Sequence, residues 1–200
     1  MNFIINAKPE QPKFTTSSLP NGTVNVDYSQ KIIVTGTDPI TLTASGLPDG
    51  FNFNPNTGML TGTPTLAKTY TIKFTASNVA KTVTKSLKLK INDVKPETIS
   101  PATLNYGLVK EAYDDVTFSL ASGTGTIKWS ASGLPSGLKL NSSTGVLSGT
   151  PTRAGNFNVK ITASNSAGKA TETIPMVVYQ KPEITTTKLA NATTDRKSVV

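Results

Sequence analysis

Cysteine and histidine are both absent from the 200 residues of this chain. Without cysteine there can be no disulfide framework, no thiol nucleophile and no thiolate metal site. Without histidine there is no imidazole base, no histidine ligand for zinc, and no Ser-His or Cys-His arrangement for nucleophilic catalysis. Only carboxylates remain as candidates for catalysis. We therefore expect a protein that is not an enzyme and that holds no cofactor.

Long apolar runs are also missing. No stretch approaches the roughly 20 apolar residues that cross a bilayer, so no membrane insertion is expected. The first residues, 1–8, have no basic segment and only a short apolar run, which predicts no signal peptide in this chain. Two explanations stay open. The signal and further domains could lie outside this sequence, or the protein could leave the cell inside an assembled virus particle.

Positive charge is plentiful but dispersed. The net charge is +8, and the densest local group consists of Lys81, Lys85, Lys88 and Lys90. A surface that binds nucleic acid usually interleaves basic residues with exposed aromatic residues, and the sequence has no such cluster. Lysines on a strand more often keep a sheet edge soluble. We expect a solvated strand here and no nucleic-acid partner.

The chain contains one long internal repeat. Residues 132–165 align without a gap on residues 45–78, and Gly133 follows Gly46 at an offset of 133 − 46 = 87 residues. A period of this length indicates two copies of a whole small domain rather than a solenoid of short units.

Turn residues and alternation within the repeat indicate β-structure. Leu47-Pro48-Asp49-Gly50 and its second copy read as turns, because proline fixes one φ and glycine supplies a positive one. In the next turn of each copy, Asn54 or Asn141 is expected to accept hydrogen bonds from backbone N–H groups further on. Strict alternation then predicts a half-buried strand in each copy. Its inward residues are expected to be Tyr70, Ile72, Phe74 and Ala76, and in the second copy Phe157, Val159, Ile161 and Ala163.

The repeated run GLP-x-G, then TG-x-L-x-GTP, then an alternating strand that ends in TASN, resembles the putative-Ig (He_PIG) family. That family consists of bacterial and phage Ig-like or cadherin-like β-sandwiches. The resemblance covers both copies and implies an all-β fold with two tandem Ig-like antiparallel β-sandwiches, arranged like beads on a string. It implies no shared active site, and a fold by itself does not define a function.

The expected organisation has four parts. Residues 1–10 form an N-terminal arm that resembles a last strand, 11–93 and 94–179 form the two Ig-like domains, and 180–200 form a tail that resembles the start of a third repeat. Neither end can bury its apolar residues alone. The ends are expected either to contact neighbouring molecules or to fray as cut edges of a longer array.

Several individual positions carry specific expectations. Trp129 lies on an inward phase and is expected in the core. Residues 28–35 are expected to form one longer strand. Pro175 predicts either that the last strand lies at a sheet edge or that its N–H side faces solvent. Lys85 and Glu172 share the phase of inward apolar residues, which either a β-bulge or an exposed strand end would explain.

No catalytic or metal site is expected. Asp114 and Asp115 are adjacent, so on a strand they point to opposite faces and cannot share a proton. Cadherin-like relatives bind Ca²⁺ between domains, which requires six to eight oxygen ligands. The acidic and amide residues near the junction are few: Asp49, Asn92, Asp93 and Glu97. At the second junction the corresponding residues are Ser136, Tyr179, Gln180 and Glu183, so the acidic density does not repeat.

Two functions therefore stay open. The first is a structural module on the outside of a particle or cell, with a virion surface favoured. The alternative is a spacer or adhesion fragment of a larger secreted bacterial surface protein that binds a glycan or a protein. Expected partners are other subunits of a surface assembly, and a glycan or host surface. A binding face would show exposed aromatic residues, and Tyr106, Tyr113 and, less strongly, Phe51 are the candidates.

Overall fold

The computed structural model describes residues 8–185, and within that range every regular element is a β-strand. No helix in this part of the chain could cross a membrane. The strands fall into two units that repeat the same element order. Most of the expected N-terminal arm (1–7) and of the expected C-terminal tail (186–200) lies outside the described residues, so the interpretation of the chain ends stays a prediction.

The first unit consists of nine strands. They are β1 (Lys13–Phe14), β2 (Gly22–Thr23), β3 (Tyr28–Lys31), β4 (Val34–Thr35), β5 (Thr41–Ser45), β6 (Phe51–Asn54), β7 (Met59–Gly62), β8 (Thr69–Ser77) and β9 (Thr82–Asn92).

The second unit repeats these nine strands in the same order. They are β10 (Glu97–Ser100), β11 (Gly107–Leu108), β12 (Tyr113–Thr117), β13 (Ser119–Ser122), β14 (Lys128–Ser132), β15 (Leu138–Leu140), β16 (Val146–Gly149), β17 (Gly155–Asn165) and β18 (Gly168–Tyr179).

Each unit is built from a four-stranded sheet, a three-stranded sheet and one separate strand pair. In the first unit the sheets have the orders β2-β9-β8-β5 and β3-β7-β6, with β1 paired to β4; the second unit has β11-β18-β17-β14 and β12-β16-β15, with β10 paired to β13. All pairings are antiparallel except the short contacts β2–β9 and β11–β18, which are parallel. The expected tandem arrangement of Ig-like β-sandwiches is confirmed.

The apolar residues that alternate along β8 and β17 form the centre of each core. Ile72, Phe74 and Ala76 are at most 1% exposed, and Val159, Ile161 and Ala163 are fully buried, as predicted. Tyr70 and Phe157, at the strand starts, are only half-buried. Fully burying an isoleucine, valine or phenylalanine side chain stabilises a fold by roughly 1.5–3 kcal/mol. Each unit therefore has its own apolar core, one cluster per unit.

The structure corrects the expected strand at 28–35 and decides between the two explanations for Lys85 and Glu172. The expected single strand at 28–35 is two strands, β3 and β4, because the chain leaves β7 at Ile32 and then pairs with β1. The register of β8 with β9 runs without a shift through Lys85, and that of β17 with β18 runs likewise through Glu172. No bulge is present at these two positions. Both side chains are half-buried near the hairpin ends of their strands, which explains their inward phase.

The strand of Pro175, β18, lies between β11 and β17 and is therefore not an edge strand, but its outer side is unpaired at Pro175. β18 is bonded on its outer side only at Val178 and Tyr179, where it meets β11. Pro175 lies before that contact and is exposed, so its missing N–H removes no ladder hydrogen bond from β11.

Candidate functional site

The linker between the two units is held by an asparagine at the end of β17. The side-chain amide of Asn165 donates to the carbonyl oxygens of Val94 (2.6 Å) and Thr124 (2.9 Å). Its oxygen accepts from the backbone N–H groups of Ala167 (2.9 Å) and Gly168 (3.1 Å), which shapes the β17–β18 turn. One side chain thus joins the linker, a loop and a hairpin of the second unit.

A carboxylate adds a second hold on the linker. Asp93 accepts hydrogen bonds from the hydroxyl groups of Thr124 (3.2 Å) and Ser166 (2.6 Å), one on each oxygen. The Thr124 hydroxyl oxygen also accepts from the backbone N–H of Val94 at 2.8 Å. We call Asp93, Val94, Thr124, Asn165 and Ser166 the linker clamp. Because hydrogen bonds to a charged group contribute about 1.5–3 kcal/mol, the clamp restricts the direction in which the chain enters the second unit.

The first unit has the amide half of this arrangement. Asn78 donates to the carbonyl oxygens of Glu10 (2.7 Å) and Thr37 (2.8 Å) and accepts from two turn N–H groups. These contacts give the last residue of each TASN run a structural role that the sequence analysis did not assign. The available signal was its presence at the same position in both copies.

The acidic residues expected near the junction do not assemble into a cation site. Among residues 8–185 no group of three carboxylate, histidine or cysteine side chains is close enough to hold a metal ion. Asp93 already accepts from two hydroxyl groups, Glu97 lies 3.4 Å from the Ser122 hydroxyl, and Asp49 is exposed on a turn.

Calcium is accordingly expected to leave the stability of the protein unchanged. Since Ca²⁺ requires six to eight oxygen ligands, neither millimolar Ca²⁺ nor EDTA should move the melting temperature. Differential scanning calorimetry in matched buffers checks this. A rise of several degrees with Ca²⁺ that EDTA reverses would contradict the prediction.

Two exposed tyrosines meet at the far end of the second unit. Tyr106 is 64% exposed and Tyr179 is 54% exposed, and their rings pack edge to face with centroids 5.7 Å apart. Beside Tyr106 runs a groove of about 310 Å³ whose rim carries Asn105, Glu111 and Asp114. The ammonium group of Lys181 donates to the carboxylate of Glu111. We call Asn105, Tyr106, Glu111, Asp114 and Tyr179 the tyrosine surface.

The other expected aromatic residues do not belong to this exposed face. Tyr113 was predicted as a candidate for the binding face, but it is 7% exposed, so that expectation was wrong. Its ring packs into the core at the start of β12, and its hydroxyl donates to the carbonyl of Asn105 at 3.1 Å. In the first unit the buried Tyr28 likewise donates from its hydroxyl to the carbonyl oxygen of Pro20 at 3.2 Å. Phe51 is half-buried, with its ring 5.5 Å from that of Tyr28.

The two buried tyrosines should make stability depend on pH at the alkaline end. Burial raises the pKa of Tyr28 and Tyr113 above the usual value of about 10, and the charge of Asp114 adds to the rise at Tyr113. Above pH 10 the folded state therefore holds more protons than the unfolded state, and the free energy of unfolding falls as pH rises.

Urea titrations between pH 8 and 11 check this dependence. The contribution of these two groups should be constant below pH 9 and should be lost above pH 10. The double variant Tyr28→Phe, Tyr113→Phe should show a shallower loss. An identical alkaline loss in the variant would contradict the assignment.

Asp114 and Asp115 are both exposed, and neither is paired with the other. The tyrosine surface offers hydrogen-bonding groups and aromatic rings to solvent, which suits the binding of a ligand.

The family model described as Putative Ig domain matches residues 6–92 and 97–179. The two matches cover most of the chain and fall on the two observed units. The chain therefore belongs to the putative-Ig family, as its repeated motifs suggested.

Sequence relatives include surface adhesins. The chain is 27% identical over 168 residues to the "Serine-rich adhesin for platelets" of Staphylococcus aureus strain USA300 and, at the same identity, to that of strain MRSA252. Each match covers 80% of this chain, but only 7% and 12% of the respective adhesin. The chain thus spans a small part of the length of these relatives.

Among solved structures, extracellular domains 3–5 of Drosophila OTK match with a TM-score of 0.51 and 18% identity. The match covers 86% of this chain and 63% of that one. It confirms the tandem Ig-like fold.

Proposed function

We propose that the two units form a spacer segment of an adhesion-type protein displayed on a bacterial surface. The observation that carries the proposal is the linker clamp, which bonds the linker to the second unit through both a carboxylate and an amide. A spacer must hold its neighbouring domains at a defined distance and angle, and a hydrogen-bonded linker provides this better than a flexible one. The similarity to staphylococcal adhesins supports the surface location.

The proposed role involves no catalysis and no cofactor. Its partners are other protein segments of the surface assembly and, at the tyrosine surface, a glycan or host surface. Nucleic acid is not expected as a partner, because Lys88 and Lys90 of β9 alternate with buried apolar residues and the strand contains no aromatic residue.

A virion surface was the location that the sequence analysis favoured, on the basis of the first residues alone. The adhesin relatives favour the alternative, a bacterial surface, and we adopt it here.

Antibodies against the folded chain test the location directly. Gold labelling of intact source cells, with permeabilised cells as the control, should place the protein on the outer surface. Labelling of released particles instead would support the virion location. Labelling only after permeabilisation would overturn both.

A further inference from the structure

We propose that the tyrosine surface of the second unit binds an uncharged carbohydrate. The inference rests on the proposed function, which includes a glycan among the partners, and it specifies the site and the class of glycan. It rests on a comparison between two copies of the same scaffold, one of which carries the surface and one of which does not.

The scaffold around the tyrosine surface is the same in both copies. Gly107 pairs with Val178 as Gly22 pairs with Ile91, and the core tyrosine at the edge of the groove bonds a backbone carbonyl eight residues earlier in each unit. On this register, Tyr106 corresponds to Asn21 and Tyr179 to Asn92. The fold therefore does not require an aromatic residue at either position.

The flanking polar groups change together with the tyrosines. Counting from the equivalent Tyr28 and Tyr113, Glu111 takes the place of Val26 and Asp114 that of Ser29. Four positions on one surface thus carry an aromatic ring or a carboxylate in the second copy only. Tyr106, Glu111 and Asp114 line one groove, and Tyr179 packs against Tyr106. This clustering indicates a ligand rather than unrelated surface substitutions.

The chemistry of these groups fits a neutral sugar. A tyrosine ring has a negative face that attracts the C–H groups of a pyranose ring, and the ring of Tyr179, inclined at 65° to that of Tyr106, extends the aromatic surface beside the groove. Carboxylate and amide oxygens accept from sugar hydroxyl groups, and the Asn105 amide also donates. The exposed carboxylate of Asp114 disfavours sialylated or sulfated sugars by charge repulsion. A volume of about 310 Å³ lies at the lower end of the range for ligand pockets, roughly 300–1,000 Å³.

Another Ig-like unit is the competing occupant, because the corresponding end of the first unit faces the second. The groove at that junction is lined by Thr23 and Asn92 on one side and by Ser166 and Ala167 on the other. Lys68, Lys90 and Ile91 also line this groove, and no aromatic residue does. Docking of a further unit therefore does not explain why tyrosines replace asparagines here.

A glycan array with neutral and sialylated oligosaccharides, followed by calorimetric titration of the strongest neutral hit, tests the proposal. The test variant is Tyr106→Ala, Tyr179→Ala, and the matched control is Asn21→Ala, Asn92→Ala at the same positions of the first unit. Affinity should fall at least about tenfold in the test variant, a change of about 1.4 kcal/mol, and should be unchanged in the control. Asp114→Asn should also weaken the neutral hit.

Three results would overturn the proposal. The wild-type chain could bind no neutral sugar at millimolar concentration, or both double variants could bind equally well. Sedimentation could instead show self-association of the wild type that the tyrosine variant loses without any sugar, which would identify the surface as a contact for another Ig-like unit. Circular dichroism serves as the control that every variant is folded.

Discussion

Replacing Trp129 with alanine should destabilise the second unit by about 3–5 kcal/mol. The indole is 8% exposed and packs against Phe118, with ring centroids 6.2 Å apart. It also covers Gly145, where an added Cβ would lie only 2.9 Å from the indole ring. Removing the ring leaves a cavity that these neighbours fill only in part. A domain of this size is typically stable by about 5–15 kcal/mol, so the loss is a large share of the total.

Calorimetry measures the effect because the first unit serves as an internal reference. The transition of the second unit should move to lower temperature, and that of the first unit should stay in place. Leu42→Ala, at the equivalent position of the first unit, should give the reverse pattern with a smaller shift, since Leu42 is already half-exposed. If Trp129→Ala leaves both transitions in place, the indole does not fill the core.

Replacing Gly149 with alanine should destabilise the second unit by a similar amount, but through overpacking and backbone strain rather than through a cavity. Gly149 has a φ of +129°, which side-chain-bearing residues rarely adopt, and this strain costs roughly 1–3 kcal/mol. An added Cβ would also overlap the carbonyl oxygen of Gly137 and lie 3.2 Å from the Cα of Leu138. Both groups are backbone: the Gly137 carbonyl accepts from the Thr150 N–H, and Leu138 begins the paired strand β15. They cannot easily move aside, so overpacking adds roughly 1–3 kcal/mol.

Gly155→Ala is the matched control for Gly149→Ala. Gly155 also has a positive φ, at +153°, but an added Cβ there would meet only the Phe157 ring at 3.5 Å. Urea unfolding followed by the fluorescence of Trp129 reports on the second unit alone, because the chain has one tryptophan. A larger loss for Gly149→Ala than for Gly155→Ala is expected. Equal losses would show that close backbone approach is not the reason for glycine in the repeated Gly-Thr-Pro run.

The parts of the fold that depend on local pattern could be predicted. Period-two alternation placed Ile72 and Val159 in the core, because each strand has one buried face. The turn asparagines Asn54 and Asn141 accept from two backbone N–H groups each, as predicted from the local chemistry of such turns. Both inferences need only neighbours in sequence.

The parts that depend on distant partners could not be predicted. Alternation does not say which strand lies alongside, so the transfer of the chain from β7 to β1 at Ile32 was missed. Tyr106 and Tyr113 look alike in sequence, and only the packing of β12 makes one exposed and the other buried. The contacts of Asn165 reach residues 71 and 41 positions earlier in the chain. Their only sequence signal was repetition.

The proposed spacer role requires that the linker clamp restrains the orientation of the two units relative to each other. Because the chain has no cysteine, spin labels can be attached cleanly at Thr43→Cys and Ser130→Cys, two exposed and equivalent positions on β5 and β14. Pulsed electron paramagnetic resonance then gives the distribution of distances between the units. Asp93→Ala with Asn165→Ala removes the clamp, and Asn78→Ala removes the equivalent amide contacts at Glu10, away from the linker.

We predict a narrow distance distribution for the otherwise unchanged chain and for Asn78→Ala, and a clearly broader one for the clamp variant. Circular dichroism should show that the clamp variant keeps its strands. A distribution in the unchanged chain as broad as that of the clamp variant would contradict the account, because the units would then be joined by a flexible linker that the hydrogen bonds of Asp93 and Asn165 do not restrain.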